Sequence, residues 1–407
     1  MRIIVLAGGF DQIALIEELK RRNHIVILID YFENPPAKPY ADKHIVASTL
    51  DIDQVEKIAK DEKAELICTA CTDQALLTVA KVSEDLNLPC YISYQTALNV
   101  TNKSYMKNVL MKNHIPTAKY IVSSTLDEDS INSLKFPLVV KPVDCNSSKG
   151  VKRVDSVTEL SEYFNEAVKC SRSGLAVVEE YKEGQEISAD FYIENGTVKL
   201  LSATNSFKIP HRRSFTILGS SYPGISNIQE AKLIKIATDI SRVFELNNCP
   251  LLIQLIVNGE DLSVIEFSAR MGGGSKFKLI EILSGVNIMS KYVDLILGDC
   301  PSVFPLKKVD FCKVIYVYCK SGVFDHVEGV EELKDNGIIS ECFLYKTKGM
   351  RIDRAENSGD RILGYLIVAN SVNDLDEKIN KADGTIKVVD IDGKDMMIHD
   401  LYSQVIA

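Results

Sequence analysis

Apolar and polar positions change their spacing along the chain, and in the first part predicted strands alternate with predicted helices. The predicted strands are 2–6, 24–29 and 64–69, and the predicted helices are 11–21, 53–61 and 74–86. Strands that alternate with helices indicate a parallel sheet with helical crossovers. We therefore predict that residues 1–95 form a small doubly wound α/β domain.

From Pro137 the pattern changes to short apolar strands separated by polar or glycine-bearing turns, with a helix at 156–170. Gly196 fits a hairpin turn, and LLIQLIVNGEDLSVIEFSA is typical of two strands joined by a turn at 258–261. A helical stretch follows at 276–297. This pattern predicts an α+β domain built on antiparallel sheet.

The last part of the chain, from about Pro301, mixes strands with short helices. The predicted strands are 312–319 and 361–369, and the predicted helices are 330–336 and 372–381. We predict a small C-terminal α+β domain that packs against the rest of the chain or covers it as a lid.

Composition and charge narrow the function classes. The 407 residues are 46% hydrophobic and 25% charged, and the net charge is -9. These values are those of an ordinary globular protein, and a nucleic-acid partner would need clustered Lys and Arg, so none is expected. No stretch approaches the ~20 apolar residues of a membrane span. We therefore expect no membrane partner and a cytoplasmic location.

Cysteine and histidine predict no metal or redox framework. The 10 Cys are scattered, and the lone CxxC of Cys68 and Cys71 lies in an apolar stretch, where buried small residues are the simpler interpretation. The 6 His form no ligand-spaced set. The turn AGGF lacks the GxGxxG pattern, so an NAD-dependent enzyme is a disfavoured alternative, although Asp30 ends the second strand.

The segment VIEFSARMGGG has the strongest chemical pattern. Glu266, Ser268 and Arg270 alternate on one strand, so their side chains share a face. Arg270 could grip a phosphate, and the glycine turn at 272–274 lets the backbone approach a ligand closely. An edge strand with a surface ion pair and a flexible loop is an equal alternative on this pattern alone.

Gln254 lies in the otherwise apolar run LLIQLIV, and a buried amide needs hydrogen-bond partners. One hairpin register would place Gln254 opposite Glu266 with Ser268 on the diagonal, whereas a tighter turn would pair it with Ser263. The first register would form a cluster of oxygen atoms that suits Mg²⁺.

Three further segments could contact a nucleotide. Lys141 ends an apolar strand, where its side chain either contacts a ligand or snorkels to water. The composition of the loop NSSKGV suits phosphate binding, but it is also what any hairpin turn needs. The acids of VEEYKEGQE could serve a purine and a ribose, or form an exposed turn. Lys103 begins a helix capped by Asn102, where an anionic ligand would compensate for the unfavourable helix dipole.

In their order along the chain, NKSYMK, VVKP, SSKGV, VEEYKEGQE, LLIQLIV and VIEFSAR resemble the motifs of the ATP-grasp superfamily of carboxylate–amine and carboxylate–thiol ligases. The resemblance covers nearly the whole chain and implies the ATP-grasp fold, of class α/β and α+β. The implied units are an N-terminal Rossmann-like domain with a doubly wound parallel sheet at 1–95, a two-subdomain ATP-grasp core at 96–300 (about 96–182 and 183–300), and a small C-terminal α+β domain at 301–407.

The resemblance also implies cofactors and roles. The cofactors would be ATP and two Mg²⁺ ions, with Mn²⁺ as an alternative. The ATP-binding residues would be Lys103 and Lys141 on the phosphates, Ser147, Ser148, Lys149 and Gly150 in a covering loop, Glu179, Glu180, Tyr181 and Lys182 on the adenine, Glu186 on the ribose, and Gln254. The metal ligands would be Gln254, Glu266 and Ser268, and the catalytic residues Arg270, Lys141 and Glu266. Gln254 stands where an acid is common and Ser268 where Asn is common, so one metal site is expected to be weaker.

The segment SFKIPHRRSFTILGSSYPG carries a basic cluster of His211, Arg212 and Arg213, which could hold a substrate carboxylate or lie in a solvated loop. With Gly272 and Gly273 these are the candidate substrate-binding residues. The sequence looks most like the amino-acid ligase branch and is also similar to the carbamoyl-phosphate-synthase-like branch.

The reaction that the resemblance implies joins a small carboxylate, such as an amino acid, to an amine through an acyl phosphate and releases ADP and phosphate. The expected partners are these small molecules and a second copy of the chain in a homodimer. A purine-biosynthesis-type ligase and a non-catalytic ATP-binding regulatory protein are the alternatives.

Overall fold

The computed structural model describes residues 1–145, 148–209, 215–353, 357–399 and 401–402. Its strands are β1 (Arg2–Leu6), β2 (Ile25–Asp30), β3 (Lys43–Val46), β4 (Leu66–Cys68), β5 (Tyr120–Ser123), β6 (Leu138–Pro142), β7 (Lys152–Val154), β8 (Ala176–Glu180), β9 (Gln185–Glu194), β10 (Thr197–Lys208), β11 (Ile217–Tyr222), β12 (Cys249–Asn258), β13 (Asp261–Ser268), β14 (Phe311–Val317), β15 (Gly322–Glu328), β16 (Glu341–Leu344), β17 (Arg351–Ile352), β18 (Leu363–Ala369) and β19 (Lys387–Asp390).

The α-helices are α1 (Phe10–Arg21), α2 (Ile52–Asp61), α3 (Asp73–Asp85), α4 (Tyr94–Thr101), α5 (Lys103–Lys112), α6 (Glu128–Asn132), α7 (Val157–Cys170), α8 (Asn227–Val243), α9 (Lys276–Ser284), α10 (Ile288–Ile296), α11 (Val330–Asp335) and α12 (Val372–Thr385). None of the helices described is both long and apolar enough to cross a membrane.

The N-terminal sheet is parallel, with the strand order β3-β2-β1-β4. Strand β1 is buried on both faces, because Ile3 and Val5 pack into one hydrophobic core with α1, and Ile4 and Leu6 pack into another with α2. Helices on both faces are what a parallel sheet with crossovers requires. The predicted doubly wound α/β arrangement is confirmed.

The other strands described form three antiparallel sheets, of which the smallest has three strands in the order β17-β15-β19. The remaining two are larger. The smaller of these two sheets has four strands in the order β5-β8-β6-β7 and packs against α7 through Leu160 and Phe164. The larger has eight strands in the order β13-β12-β9-β10-β11-β14-β18-β16. The prediction of an α+β architecture on antiparallel sheet is therefore confirmed.

The eight-stranded sheet continues through the position where the core and the C-terminal domain were predicted to divide. Strand β11 pairs with β14, with Gly219 opposite Ile315 and Tyr222 opposite Cys312. Strands β14, β18 and β16 thus extend a sheet that begins in the core. The boundary at 300 stays a prediction, but backbone hydrogen bonds join the two sides of it.

The hairpin of β12 and β13 has the register that places Gln254 opposite Glu266. Asn258 pairs with Asp261 around a two-residue loop, and continuous pairing from that loop would put Gln254 opposite Ile265. A β-bulge next to Gln254 shifts the pairing by one residue and turns Glu266 to the face of Gln254. The tighter alternative, with Gln254 opposite Ser263, is wrong.

Two helical features differ from the sequence pattern. The stretch predicted at 276–297 is two helices, α9 and α10, because Gly285 adopts φ 72° and ends the first one. Helix α4 was not predicted; it leads directly into α5 through Asn102, whose side chain accepts a hydrogen bond from the backbone N–H of Tyr105.

Candidate active site

Two adjoining spaces lie along the antiparallel sheets. The first, called here the inner cavity, has a volume of about 130 Å³ and lies between the smaller sheet and the β9, β12 and β13 end of the larger one. The second, called here the outer cleft, has a volume of about 700 Å³ and extends from α1 and α3 to β14 and the loop before β18. Gln254, Glu266, Cys145 and Ser148 line both spaces. These four residues therefore mark the junction between them.

A buried carboxylate between two lysines forms one wall of the inner cavity. The Glu179 Oε1 atom lies 2.6 Å from Lys141 Nζ, and its Oε2 atom lies 2.6 Å from Lys107 Nζ. Lys107 also donates to Thr117 Oγ1 at 2.7 Å, which donates in turn to the carbonyl oxygen of Val264 at 2.7 Å. The network ties α5 to strands β6, β8 and β13.

The charges of this group favour an ionised Glu179. Burial acts to raise the pKa of Glu179, but the positive charges of Lys107 and Lys141 outweigh it and lower the pKa to about 2. Burial lowers the pKa of Lys107, and the positive charge of Lys141 adds to this effect, while the charge of Glu179 opposes it. Lys141 is buried and paired, so the snorkelling alternative is wrong.

Lys107 is a member of this group that sequence reasoning missed. It lies one helical turn after Lys103 on α5, so both side chains point from the same helix face. Its side chain is 1% exposed, which is rare for lysine outside a paired site. The available signal was the i, i+4 spacing of two lysines in NKSYMK.

Lys103 reaches the junction of the two spaces from the first turn of α5. Its Nζ atom donates to the carbonyl oxygen of Cys145 at 2.8 Å and lies 3.3 Å from Glu266 Oε2. A cation at a helix N-terminus is unfavourable by itself. Here the nearby carboxylate of Glu266 offsets part of that cost.

The described part of the polar loop lies at the mouth of both spaces. Ser148 adopts φ 61° and its hydroxyl donates to the carbonyl oxygen of Phe215 at 3.2 Å. Lys149 lines the outer cleft, and Gly150 adopts φ 71°, where a Cβ atom would lie 2.9 Å from Pro142 Cγ. Ser147 lies outside the described residues.

The segment after β8 lines the inner cavity with Glu180, Tyr181 and Lys182. The backbone N–H of Glu180 already donates to Lys119 O, and that of Tyr181 donates to Pro137 O, each at 2.9 Å. These two N–H groups hold the strand in its sheet. Any ligand hydrogen bond from this edge must therefore use the carbonyl groups or a later N–H.

Glu186 on β9 also lines the inner cavity and meets Lys208, a residue that the sequence patterns did not single out. Their Oε2 and Nζ atoms are 2.7 Å apart, and Lys208 Nζ lies 4.5 Å from the centre of the Phe215 ring. Gly184 precedes Glu186 with φ 136°, and any Cβ atom there would overlap the carbonyl oxygen of Val257. Glycine is required where β9 passes this close to β12.

The predicted metal ligands divide into two groups. Gln254 and Glu266 face the junction, and the Glu266 side chain is 34% exposed. The Ser268 hydroxyl instead donates to Asp73. Within the described ranges, no group of three or more His, Cys, Asp and Glu side chains has the arrangement of a metal site. Of the predicted metal ligands, the junction thus holds one carboxylate and one amide.

Arg270 is held by a carboxylate from the N-terminal part of the chain. Its Nε atom donates to Asp73 Oδ1 at 2.7 Å, and its Nη2 atom pairs with the other carboxylate oxygen. Burial acts to raise the pKa of Asp73, but the charge of Arg270 outweighs it and the pKa is lowered. Sequence reasoning missed Asp73, because it begins α3, far from VIEFSAR in sequence.

The glycine turn after β13 is held by the first helix. Backbone N–H groups of Gly274 and Ser275 donate to the Asp11 carboxylate, at 3.2 and 2.8 Å. Gly272 and Gly273 line the outer cleft beside it. Burial raises the pKa of Asp11 in spite of these hydrogen bonds. The candidate residues His211, Arg212 and Arg213 lie outside the described residues.

Comparison with known proteins supports the resemblance. Residues 134–278 match the model of a family described as ATP-grasp domain. The chain is 27% identical over 214 residues to a formate-dependent phosphoribosylglycinamide formyltransferase of Prochlorococcus marinus, covering 51% of this chain and 53% of that relative. It is 22% identical to a phosphoribosylamine–glycine ligase of Methanosphaera stadtmanae, covering 94% of this chain and 93% of that relative.

Among solved structures, an L-amino acid ligase from Bacillus licheniformis has a TM-score of 0.82 at 21% identity, covering 96% of this chain and 98% of that one. At this identity the likeness shows the fold alone. The chain spans about half the length of the first of these relatives and nearly all of the second. The predicted ATP-grasp fold is confirmed.

Proposed function

We propose that this chain, whose residues 134–278 match the ATP-grasp domain family, is an ATP-dependent ligase that joins a small carboxylate, such as an amino acid, to an amine through an acyl phosphate. One observation carries the proposal: the inner cavity and the outer cleft meet at Glu266, beside Lys103 and Gln254. A ligand in the first space can thus present its reactive end to a ligand in the second. Such juxtaposition is what transfer of a phosphoryl group requires.

The residues of the inner cavity fit ATP. Apolar side chains of Ala118, Val139 and Ile256 offer walls for a purine, and Lys103 and Lys141 stand where phosphates would need positive charge. Gln254 and Glu266 supply hard oxygen donors of the kind Mg²⁺ prefers. When bound, Mg²⁺ would neutralise charge on the phosphates. Two ions, with Mn²⁺ as a substitute, belong to this proposal.

The remaining site residues receive their roles as proposals. Ser147, Ser148, Lys149 and Gly150 would cover the phosphates, Glu179, Glu180, Tyr181 and Lys182 would bound the adenine pocket, and Glu186 would face the ribose. Ser268 would be a third metal ligand through its hydroxyl oxygen, which keeps lone pairs for a metal while its proton is donated to Asp73. His211, Arg212, Arg213, Gly272 and Gly273 would contact substrate.

Arg270 would stabilise the charge that develops when the carboxylate oxygen attacks the γ-phosphorus and the bond from that phosphorus to the β,γ-bridging oxygen breaks, which releases ADP. The amine nitrogen would then attack the acyl carbon, and the carbon–oxygen bond to phosphate would break as the C–N bond forms. Asp73 holds the guanidinium in place through two contacts. A charge fixed in advance needs little reorganisation during the reaction.

The test is phosphate release with MgATP and a panel of amino acids and other small acids, offered singly and in pairs, with products identified by mass spectrometry. Hydroxylamine should trap the acyl phosphate as a hydroxamate under the same conditions. If no acid or amine stimulates phosphate release, the ligase proposal is wrong. If products form without any hydroxamate, the acyl phosphate is wrong.

A purine-type ligase is the second candidate. It is favoured by the match to phosphoribosylamine–glycine ligase over 94% of this chain. Phosphoribosylamine with glycine therefore belongs in the substrate panel. A product with only this pair would favour the second candidate over the first.

We also propose a homodimer in the cytoplasm and keep the domain boundaries at 95 and 300 as proposals. The absence of a helix that could span a membrane among the described residues is compatible with this location. Sedimentation equilibrium at several protein concentrations would test the dimer. A constant mass of one chain, 45.3 kDa, would refute it.

A further inference from the structure

Arg361, in the loop just before β18, is a second arginine that lines the outer cleft. Its guanidinium lies over the ring of Tyr316, with Cζ 3.6 Å from the ring centre. The Nε atom is buried and has no hydrogen-bond partner in the described part of the chain. A buried N–H donor without a partner is uncommon and needs an explanation.

The two arginines of the cleft differ in their partners. Arg270 has the carboxylate of Asp73 on two of its nitrogens. Arg361 is flanked by tyrosines, and none of the ion pairs among the described residues includes it. A guanidinium whose Nε atom is buried and which has no counter-ion is costly in a folded protein. A bound anion would remove that cost.

Arg361 lies directly over the glycine turn of the proposed substrate site. A Cβ atom on Gly274 would lie 2.7 Å from Arg361 Nη1, and the Tyr316 hydroxyl donates to the carbonyl oxygen of Gly274 at 2.8 Å. The guanidinium is thus fixed against the turn that also holds Asp11. Burial raises the pKa of Asp11, and the positive charges of Arg361 and Arg270 act against this rise, so both guanidinium groups lie near this carboxylate.

We propose that Arg361 binds a carboxylate carried by the amine substrate, so that the nucleophile is itself an amino acid rather than ammonia. This inference rests on the proposed ligase function. The carboxylate that is activated must reach Glu266 and Arg270 at the junction with the inner cavity. Arg361 lines the outer cleft from the loop before β18 and does not line the inner cavity, so it can hold the end of the second substrate that lies away from the junction.

The chemistry around Arg361 selects a carboxylate over a phosphate. The planar guanidinium matches a carboxylate in a bidentate pair. Asp11 lies nearby and would repel a doubly charged phosphate more strongly than a singly charged carboxylate, while it can accept a hydrogen bond from the amine of the same substrate. Arg361 and Asp11 therefore offer a cation and a hydrogen-bond acceptor side by side to a small molecule that carries both charges.

The test compares the wild-type enzyme with Arg361→Met and Arg361→Lys, and uses Arg351→Met, an exposed arginine on β17, as the matched control. The acceptors are glycine and L-alanine, their amides, aminomethylphosphonate and hydroxylamine. We expect the KM for the amino acids to rise at least about 30-fold in Arg361→Met and less in Arg361→Lys. The KM for the amides, the KM for ATP and the rate of hydroxamate formation should each change by less than about 2-fold.

Each result that differs from these expectations would overturn a different part of the proposal. An unchanged KM for glycine in Arg361→Met, or equal losses with glycine and glycinamide, would overturn the assignment of Arg361. If aminomethylphosphonate were preferred over glycine, and only its use depended on Arg361, the ligand would be a phosphate-like group and the carboxylate assignment would be wrong. A wild-type enzyme that gives no hydroxamate with any acid would overturn the proposed function itself, because that readout needs no Arg361. The Arg361→Lys variant and the melting temperatures of all variants distinguish loss of the carboxylate contact from loss of the fold.

Discussion

The buried Glu179 group allows a sharp prediction about which of its members the fold needs. Replacing Glu179 by Gln would leave Lys107 and Lys141, 1% and 5% exposed, without the carboxylate that lies 2.6 Å from each. Removing one partner of a buried ion pair costs about 3–5 kcal/mol, because the remaining charge is uncompensated. A lowering of the pKa of Glu179 from 4.5 to about 2 corresponds to about 3 kcal/mol, which agrees with that range.

Lys107→Met should be milder than Glu179→Gln. Glu179 would keep Lys141 as its partner, so the site would hold one neutral pair. Burial lowers the pKa of Lys107, which means that its charge is held at a cost in the folded state. We expect a loss of less than about 2 kcal/mol, in line with apolar replacements at buried ion pairs.

The pH dependence of the Glu179→Gln defect follows from the directions of the pKa values. A carboxylate with a depressed pKa stabilises the folded state above pH 4.5, and this contribution is lost as the pH falls towards 2. Burial already lowers the pKa of Lys107, and the variant removes the carboxylate that opposes this effect, so stability recovers as Lys107 loses its proton at alkaline pH. The gap to wild type should therefore be largest near pH 7 and should narrow below pH 4.5 and above about pH 9.

The assay is thermal unfolding followed by circular dichroism between pH 4 and pH 9.5, without nucleotide. Glu180→Gln is the matched control, since it is the same substitution one residue later on a partly exposed side chain. Glu179→Gln should lower the melting temperature by more than about 6 °C at pH 7.5, and the control by less than about 2 °C. Equal shifts for the two variants, or a gap that stays constant from pH 7.5 to 9.5, would refute the reasoning.

Two further substitutions test the junction. Glu266→Ala should abolish phosphate release, because it removes the carboxylate donor at the meeting point of the two spaces. Glu260→Ala, in the exposed turn of the same hairpin, should leave the rate of phosphate release unchanged. A normal rate in Glu266→Ala would contradict the metal assignment. Asp73→Asn should lower stability by about 2–3 kcal/mol and the rate at least about 10-fold, because Arg270 loses its charged partner. Asp85→Asn, at the other end of α3, should change stability by less than about 0.5 kcal/mol in the same melting experiment, and similar losses in the two variants would count against the role of Asp73.

Local patterns were enough to predict most elements and the motifs of the inner cavity. Asn102 caps α5, Gly196 turns the β9–β10 hairpin, and Gln254 faces Glu266, as one of the two weighed registers required. In each case the determining interactions lie within a few residues or within one hairpin. The bulge that completes the register was not predicted, because its cause is packing between neighbouring strands rather than the turn sequence.

Residues whose partners lie far away in the chain were missed. Asp73 contacts Arg270 across 197 positions, and Arg361 reaches Gly274 from the loop before β18, in a part of the chain that the sequence placed in a separate domain. Hydrophobic periodicity gives the faces of elements but not the elements they meet. The order of strands in the large sheet could not be predicted for the same reason, because β11 and β14 lie far apart in the chain and are brought together only by the tertiary structure.

The continuity of that sheet has a consequence for how the protein is made. During synthesis β11 emerges well before β14, and until β14 follows, the outer backbone groups of β11 lack their sheet partner. An open strand edge is a template for pairing with other chains. The nascent chain is therefore most exposed to aggregation while residues 223–310 are being added, and ribosome-bound chains that end in this interval are the ones expected to recruit chaperones.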